Sequence, residues 1–589
     1  MEITRLFDLL LQYSQKYNKT DALAGKENGQ WVKYSSHEFI DFSNNISYGL
    51  LSLGINSGDK IAIIANNRPE WNFADMGIMQ TGAINVPIYP TISQEDLKFI
   101  LNDAEVKYVF VSSTELYEKV KIAAASVSSI KDIYTFNKVA GAKHWMELIE
   151  LGKLNKESLA PKLQNIKDSI KGSELATLLY TSGTTGNPKG VMLSHSNLVS
   201  NFYAVRNLPP VDNTCKALSF LPLNHVYERM LTYLYMYLGV SIYYAESLET
   251  IGDNIREIHP EVFSAVPRLL EKVYDKIVAK GSELTGIKKA LFFWALDLGL
   301  RFETNGKNGW WYELQLKLAN KIIFNKWREA LGRNTRAIVS GGAALQPRLA
   351  RVFWAAQISV LEGYGLTETS PVIAVNSLKK DGLKFGTVGN VIEGVQVKIA
   401  EDGEILTKGP NLMMGYYKRP DLTAEVIDSE GWFHTGDIGI LEEGKYLKIT
   451  DRKKEIFKTS GGKYIAPQVI ENKLKESPFI EQVMLVGENQ KFASALIVPS
   501  FAYIKEWCEK KGITYSSNSQ IITNEVLLKR IKEEVEKVNS RLAQYETIKK
   551  FELLPADWTI DKGEMTPKLS LKRRVIAAAN KDLIDKIFN

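Results

Sequence analysis

Short unbroken apolar runs, each followed by a helical stretch, govern what this chain can fold into. Lys60–Ala65 reads Lys-Ile-Ala-Ile-Ile-Ala and is predicted as a buried strand, with Pro69–Thr81 as the helix after it. Ile84–Ile88 and Lys107–Ser112 repeat the strand pattern around a helix at Gln94–Asp103. A strand that is apolar on both sides needs cover on both sides, so the repetition predicts a parallel sheet between layers of helix. The rhythm returns at Leu175–Tyr180, Ala217–Leu221, Val240–Tyr244, Val262–Ala265, Arg336–Ser340 and Val360–Gly363. That is more strand than one sheet ordinarily holds. The predicted class is α/β, a large N-terminal domain with two parallel-rich sheets flanked by helices.

The pattern changes near Leu383. Val395–Ala400 and Glu404–Leu406 flank Asp402-Gly403, and Ile438–Leu441 and Tyr446–Ile449 flank Glu443-Gly444. Both are hairpin signatures, and residues 383–450 are expected to form a small β-barrel. The charged stretch Asp451-Arg-Lys-Lys-Glu455 marks the expected end of the N-terminal domain, residues 1–450. Beyond it, a hairpin pattern at Glu481–Gly487 and Lys491–Val498 and an amphipathic helix at Leu527–Leu542 predict a small α+β C-terminal domain, residues 455–589.

The 589 residues are 45% hydrophobic and 24% charged, fractions of an ordinary globular protein large enough to bury its own cores. Only Cys215 and Cys508 are present, which excludes a disulfide scaffold or cysteine zinc site and fits a reducing compartment. The net charge of +6 suits polyanionic ligands or an anionic surface but falls far short of a nucleic-acid tail. Glu2 and Asp8 interrupt the start of the chain where a signal peptide needs a basic, then apolar, stretch. The most apolar helical stretch, Met230–Ala245, is too short to span a bilayer. A cytoplasmic protein is expected.

The strongest local signal is Tyr180-Thr-Ser-Gly-Thr-Thr-Gly-Asn-Pro-Lys-Gly190. Gly183 and Gly186 allow the backbone to approach an anion closely; Thr181, Ser182, Thr184 and Thr185 add hydroxyl donors, and Lys189 adds a positive charge. This loop is not a Walker A sequence, because Pro188 precedes the lysine and Gly190–Leu193 continues as a strand rather than a helix. The competing reading is a Gly/Thr-rich surface turn.

Tyr180–Gly190 resembles the phosphate-loop signature of the AMP-forming adenylating superfamily, which includes acyl-CoA synthetases, peptide-synthetase adenylation domains and firefly luciferase. Further segments follow in that family's order. Ser340-Gly-Gly-Ala-Ala344 resembles its adenine-pocket loop and Gly363-Tyr-Gly-Leu-Thr-Glu-Thr369 its second nucleotide motif. Phe433-His-Thr-Gly-Asp437 resembles the ribose-binding motif, and Asp451–Tyr464 the hinge and the loop after it.

The resemblance implies roles for ATP, Mg²⁺ and coenzyme A. Gly341, Gly342, Ala343, Tyr364 and Gly365 would line the adenine side. Thr367 would contact the α-phosphate and Glu368 would bind Mg²⁺, a hard cation suited to carboxylate and phosphate oxygens. Asp437 and Arg452 would hold the ribose; a carboxylate can accept from both hydroxyls of a diol, although an Asx-turn competes as a reading of Asp437. His225, in Pro222-Leu-Asn-His-Val-Tyr-Glu-Arg229, would lie near the acyl carboxylate. Lys454 matches the hinge position of a mobile C-terminal domain, with residues 451–454 as the hinge, and Gly461, Gly462 and Lys463 the pantetheine channel.

Gly563–Arg574 resembles the segment carrying the adenylation lysine, but the usual lysine position holds Ser570. In an extended loop Lys568, Ser570 and Lys572 would project to one side, so Lys572, and after it Lys568, are the candidates.

The helical, basic and aromatic stretch Asp275–Arg333 resembles an insertion of long-chain fatty acyl-CoA synthetases. An apolar tunnel gains about 0.8 kcal/mol per buried methylene, and the aromatic residues of Tyr233–Tyr244 are candidate walls or ordinary core. Trp294, Trp310 and Trp311 among lysines suggest peripheral contact of 275–333 with a membrane; a packed helical hairpin is the alternative. The implied activity is ligation of a long-chain fatty acid to coenzyme A through acyl-AMP. The alternatives are an acyl-AMP ligase that loads a carrier protein and a nucleotide-binding membrane scaffold. No nucleic-acid partner is expected.

Overall fold

A computed structural model of the chain describes residues 2–181, 187–247, 249–559, 562–566 and 571–588. They fall into two compact units, one of residues 1–398, 406–434 and 443–447, the other of residues 399–405, 435–442 and 448–589.

The larger unit is an α/β fold with two parallel-rich sheets, as the strand rhythm predicts. In the first, the strands Leu23–Glu27, Ser241–Tyr244, Lys216–Ser219, Val262–Ala265, Ala337–Ser340 and Ser359–Gly365 lie side by side and parallel. Antiparallel strands follow at Val372–Val375 and Asn390–Val391. In the second, the strands Leu175–Thr181, Ile84–Pro87, Lys60–Ile64, Val106–Val111, Asp132–Thr135 and Lys143–His144 are parallel in that order. Lys189–Ser194 and then Gly415–Tyr416 extend this sheet antiparallel beyond Leu175–Thr181.

The helix Pro69–Gln80 touches strands of both sheets and is buried along its whole length. Pro69 opens it at a position where the missing N–H costs nothing. Burial on every side explains why its polar residues Asn72 and Asp75 must find partners inside. The segment between Asp275 and Arg333 is helical, as expected, with helices Gly286–Leu300, Trp310–Ala319 and Asn325–Ala330. Phe292, Leu296, Tyr312, Leu316, Phe324 and Trp327 turn inward to a core shared with Leu349 and Phe353.

In the smaller unit Ile480–Val486 and Ala493–Pro499 form the expected antiparallel hairpin, and Ile548–Leu553 adds a parallel third strand. The helix Glu525–Asn539 buries Leu527, Ile531 and Val535, spaced four apart, against it. The turn at Asp402-Gly403 closes as predicted, Gly403 N–H donating to the Ala400 carbonyl at 2.9 Å, with Gly403 at φ +84°. That conformation favours glycine.

Candidate active site

Strand Leu175–Thr181 returns antiparallel as Lys189–Ser194, with Thr181 opposite Lys189. Ser182, Gly183, Thr184, Thr185 and Gly186, between them in sequence, lie outside the described residues. The Lys189 ammonium sits 5.2 Å from the centre of the Tyr416 ring. Tyr416 pairs with Val191 on the same strand, and its hydroxyl donates to Glu368 Oε1 at 2.9 Å. Burial and the Glu368 carboxylate hold the Tyr416 phenol far above its ordinary pKa, so it remains a donor. The structure therefore joins Lys189 and Glu368, 179 positions apart, through one aromatic side chain.

The turn carrying Glu368 is held rigidly. Thr367–Thr369 is a single 3₁₀ turn with Thr367 buried. Asn411 donates to the carbonyls of Thr369 and Val372 at 2.9 and 3.1 Å, and Asn201 to that of Val372 at 2.8 Å. Gly365 permits the approach: a Cβ there would lie 1.8 Å from the Pro371 carbonyl oxygen. Its neighbour Tyr364 is half-buried.

Strand Ala337–Ser340 runs into Gly341-Gly342-Ala343, and Gly342 takes φ +84° while Ala343 is exposed. Tyr227 supports this loop from below, donating its hydroxyl to the Val339 carbonyl at 3.0 Å; its ring lies 3.3 Å from where a Gly341 Cβ would stand. His225 caps the helix Val226–Leu238, its Nδ1 accepting the Tyr227 amide at 3.0 Å. An Nδ1 that accepts leaves the neutral ring's proton on Nε2. Of the aromatic residues between Tyr233 and Tyr244, Tyr233, Tyr243 and Tyr244 are committed to Asp75, Asp21 and Asn72 and belong to the core.

In the smaller unit Asp437 is buried and Arg452 Nε lies 3.3 Å from its Oδ1, so the two expected ribose residues form an ion pair. The turn before Asp437 is fixed by Gly436 N–H donating to Glu404 Oε1 at 2.9 Å, and Lys453 bridges Glu404 and Asp402. Lys454 is exposed. Gly461, Gly462 and Lys463 form an exposed turn between the strands Phe457–Lys458 and Tyr464–Ile465. Lys572 is exposed at the start of the helix Arg573–Ala579, and its amide donates to the Glu564 carbonyl at 2.8 Å. Lys568 and Ser570 lie outside the described residues. Next to Lys572, Arg573 is anchored between Glu471 and Glu455 at 2.5 and 3.1 Å.

Tyr416, Asn201 and Asn411 escape a sequence-based reading. The run Met413-Met-Gly-Tyr-Tyr417 carries no chemical signature, and asparagines acting through backbone carbonyls leave none either. Among the described residues no cluster of three or more His, Cys, Asp or Glu could hold a metal by itself. A single carboxylate at Glu368 still fits Mg²⁺, which commonly takes one or two protein carboxylates and fills its other positions with water and substrate phosphates.

The two parallel-rich sheets, and the antiparallel strands on either side of the Gly/Thr-rich sequence with Lys189 and Glu368 both on Tyr416, fit a nucleotide-handling α/β protein. Residues 11–417 match the AMP-binding enzyme family and residues 454–589 the AMP-binding enzyme C-terminal domain. The chain belongs to the AMP-binding enzyme family. It is 34% identical to the long-chain-fatty-acid–CoA ligase FadD15 of Mycobacterium bovis, over 95% of this chain and 93% of that protein. It is 32% identical to long-chain-fatty-acid–CoA ligase 1 of Cavia porcellus, over 100% of this chain and 87% of that one. The fold matches the adenylation domain of a carboxylate reductase from Mycobacterium chelonae with a TM-score of 0.75 at 21% identity, covering 99% of this chain and 91% of that one.

Proposed function

We propose that this chain activates a long-chain fatty acid with ATP and Mg²⁺ and transfers the acyl group to coenzyme A. A carboxylate is a poor electrophile, because attack adds charge to an anion. In the first step a fatty-acid oxygen attacks the α-phosphorus, the bond to the bridging oxygen breaks, and pyrophosphate leaves with an acyl-AMP anhydride remaining. In the second the thiol sulfur attacks the acyl carbonyl and AMP departs, the thiol proton passing to a base or solvent. What the protein supplies is alignment and neutralisation of charge.

The observation that carries this reading is the Lys189–Tyr416–Glu368 contact, since it brings a cation and a carboxylate together on one tyrosine beside strand Lys189–Ser194. Glu368 would hold Mg²⁺, which would neutralise phosphate oxygens. Asp437 and Arg452 would take the ribose, and Gly341, Gly342, Ala343, Tyr364 and Gly365 the adenine. His225 would sit at the acyl carboxylate, Lys572 or Lys568 would serve adenylation, and Gly461–Lys463 would line the thiol channel after rotation about Lys454. The relatives' names support the fatty acid and coenzyme A as substrates. AMP release across a panel of aliphatic and aromatic acids, with coenzyme A or a holo-carrier protein as acceptor, tests the reading. Long aliphatic acids with coenzyme A should be preferred; ADP release, or carrier protein as the sole acceptor, overturns it.

A membrane contact through residues 275–333 is supported by a second observation. Trp310 and Trp311 are 79% and 60% exposed, and Leu314 and Leu318 continue the same helix face among exposed Lys317 and Lys321. Trp294 does not join them; it is half-buried, with its indole N–H on Gln315. No helix among the described residues is long and apolar enough to cross a membrane.

A further inference from the structure

Three side chains in the first turn after His225, those of Tyr227, Glu228 and Arg229, reach in different directions. Tyr227 holds the Val339 carbonyl, two residues before Gly341. Glu228 accepts from Ser264, on the first-sheet strand Val262–Ala265, and from Ser219, on the neighbouring strand Lys216–Ser219. Arg229 turns to the second sheet, donating to Thr177 Oγ1 at 2.7 Å and pairing with Asp75 at 2.5 Å. Its Nε donates to the Tyr233 hydroxyl at 2.6 Å, and that hydroxyl donates to the second Asp75 oxygen at 2.6 Å. Asn85, on strand Ile84–Pro87, completes the set by donating to Asp75 at 2.6 Å, while Thr177 Oγ1 donates to the Asn85 carbonyl at 2.8 Å.

Arg229 and its partner Asp75 are 1% and 0% exposed, and Glu228 is 1% exposed. Burying an ion pair this completely is a poor route to stability, because apolar packing of the same volume often serves as well. What a guanidinium supplies is direction, since its donors lie in one rigid plane. Here that plane ties a helix to Thr177, four residues before Thr181 on the strand that enters the phosphate loop. The neighbouring Tyr227 ties the same helix to the strand that enters the adenine-side loop.

We propose that the turn His225–Arg229 is a spacer that sets strand Leu175–Thr181 and strand Ala337–Ser340, from which the two nucleotide segments continue, at the separation ATP requires, with Arg229, Thr177 and Tyr227 as positioning residues. This inference rests on the adenylating reading of the two loops. A purely structural brace would lower the fraction of folded protein and leave the affinity of that fraction for ATP unchanged. A spacer changes the affinity itself.

The test compares direct ATP binding and fatty-acid-dependent ATP–pyrophosphate exchange in wild type, Thr177→Val, Thr177→Ser and Tyr227→Phe. Thr177→Val keeps the shape and removes the hydroxyl; its dissociation constant for ATP should rise about tenfold, the scale of one lost hydrogen bond to a charged group. Thr177→Ser should restore it, and the KM for fatty acid should stay within about twofold of wild type in both. If Thr177→Val does not fold, Tyr227→Phe, which loses one hydroxyl at a half-buried site, decides by the same measurement with a rise of about threefold or more. ATP affinity within about twofold of wild type in the folded variants overturns the proposal. Wild type that binds ATP but shows no exchange overturns the adenylating reading instead, and leaves the affinity comparison to judge the spacer.

Discussion

The Tyr416 hydroxyl donates to Glu368 at 2.9 Å, while the other side of that tyrosine's environment is the Lys189 ammonium, 5.2 Å from its ring centre. One residue thus contacts both the Glu368 carboxylate, through its hydroxyl, and the Lys189 ammonium, through its ring.

This arrangement predicts a graded response to substitution. Glu368→Gln should reduce ATP–pyrophosphate exchange about a hundredfold or more and weaken its dependence on Mg²⁺, because a neutral amide is a poor ligand for a hard cation. Tyr416→Phe should cost about tenfold, the scale of one hydrogen bond to a charged group. Titrating exchange against Mg²⁺ separates the two variants.

Lys572→Ala should cut adenylation far more than thioester formation from supplied acyl-AMP. Its exposed position at a helix start leaves the fold no dependence on the ammonium, so the melting temperature should hold. Equal activity in both half-reactions would point to Lys568.

The pairing of buried Asp437 with exposed Arg452 predicts sensitivity to the sugar. Wild type should discriminate against 2′-deoxy- and 3′-deoxy-ATP in the exchange assay. Asp437→Asn should lose most of that discrimination, since an amide accepts less strongly from a diol.

Burial pushes the Glu228 carboxyl from 4.5 up to about 7. Its folded-state proton is therefore held where the unfolded chain would release it. The stability this contributes is fully present below pH 4.5 and is lost as pH rises through about 7, an effect of order 3 kcal/mol. Glu228→Gln should flatten the fall in urea midpoint between pH 5 and 7.5; an unchanged slope would assign that fall to other groups.

Neutralising Lys317, Lys321 and Lys326 should weaken binding to anionic vesicles about tenfold or more, at roughly 1 kcal/mol per lysine near the surface. Replacing Trp310 and Trp311 by serine should weaken binding to neutral vesicles as well. Soluble acyl-CoA synthesis in detergent should persist in both variants, as these side chains point away from the core.

Much of the fold was legible because its signals are local. Lys60–Ile64, Ile84–Pro87 and Val106–Val111 announce themselves by apolar runs that no amphipathic helix would carry, and the helix Gln94–Asp103 by its four-residue spacing. The ordered motifs from Tyr180 to Arg452 likewise sit on contiguous residues, and the hairpin strand Lys189–Ser194 follows from Pro188 and the apolar run after it. The pairing of Asp437 with Arg452 could be expected from two motifs but not measured.

Local order in the chain determined the strands, the helices, the loops between them and the residue types able to meet a nucleotide. Tertiary structure alone decided that Asp75 meets Arg229, 154 positions on, that Tyr416 stands between Glu368 and Lys189, and that Trp294 turns inward while Trp310 does not. The reason is physical. Periodicity records which face of an element must leave water, whereas the partner of a buried polar group is chosen only when whole sheets close over it and no water remains to take its place.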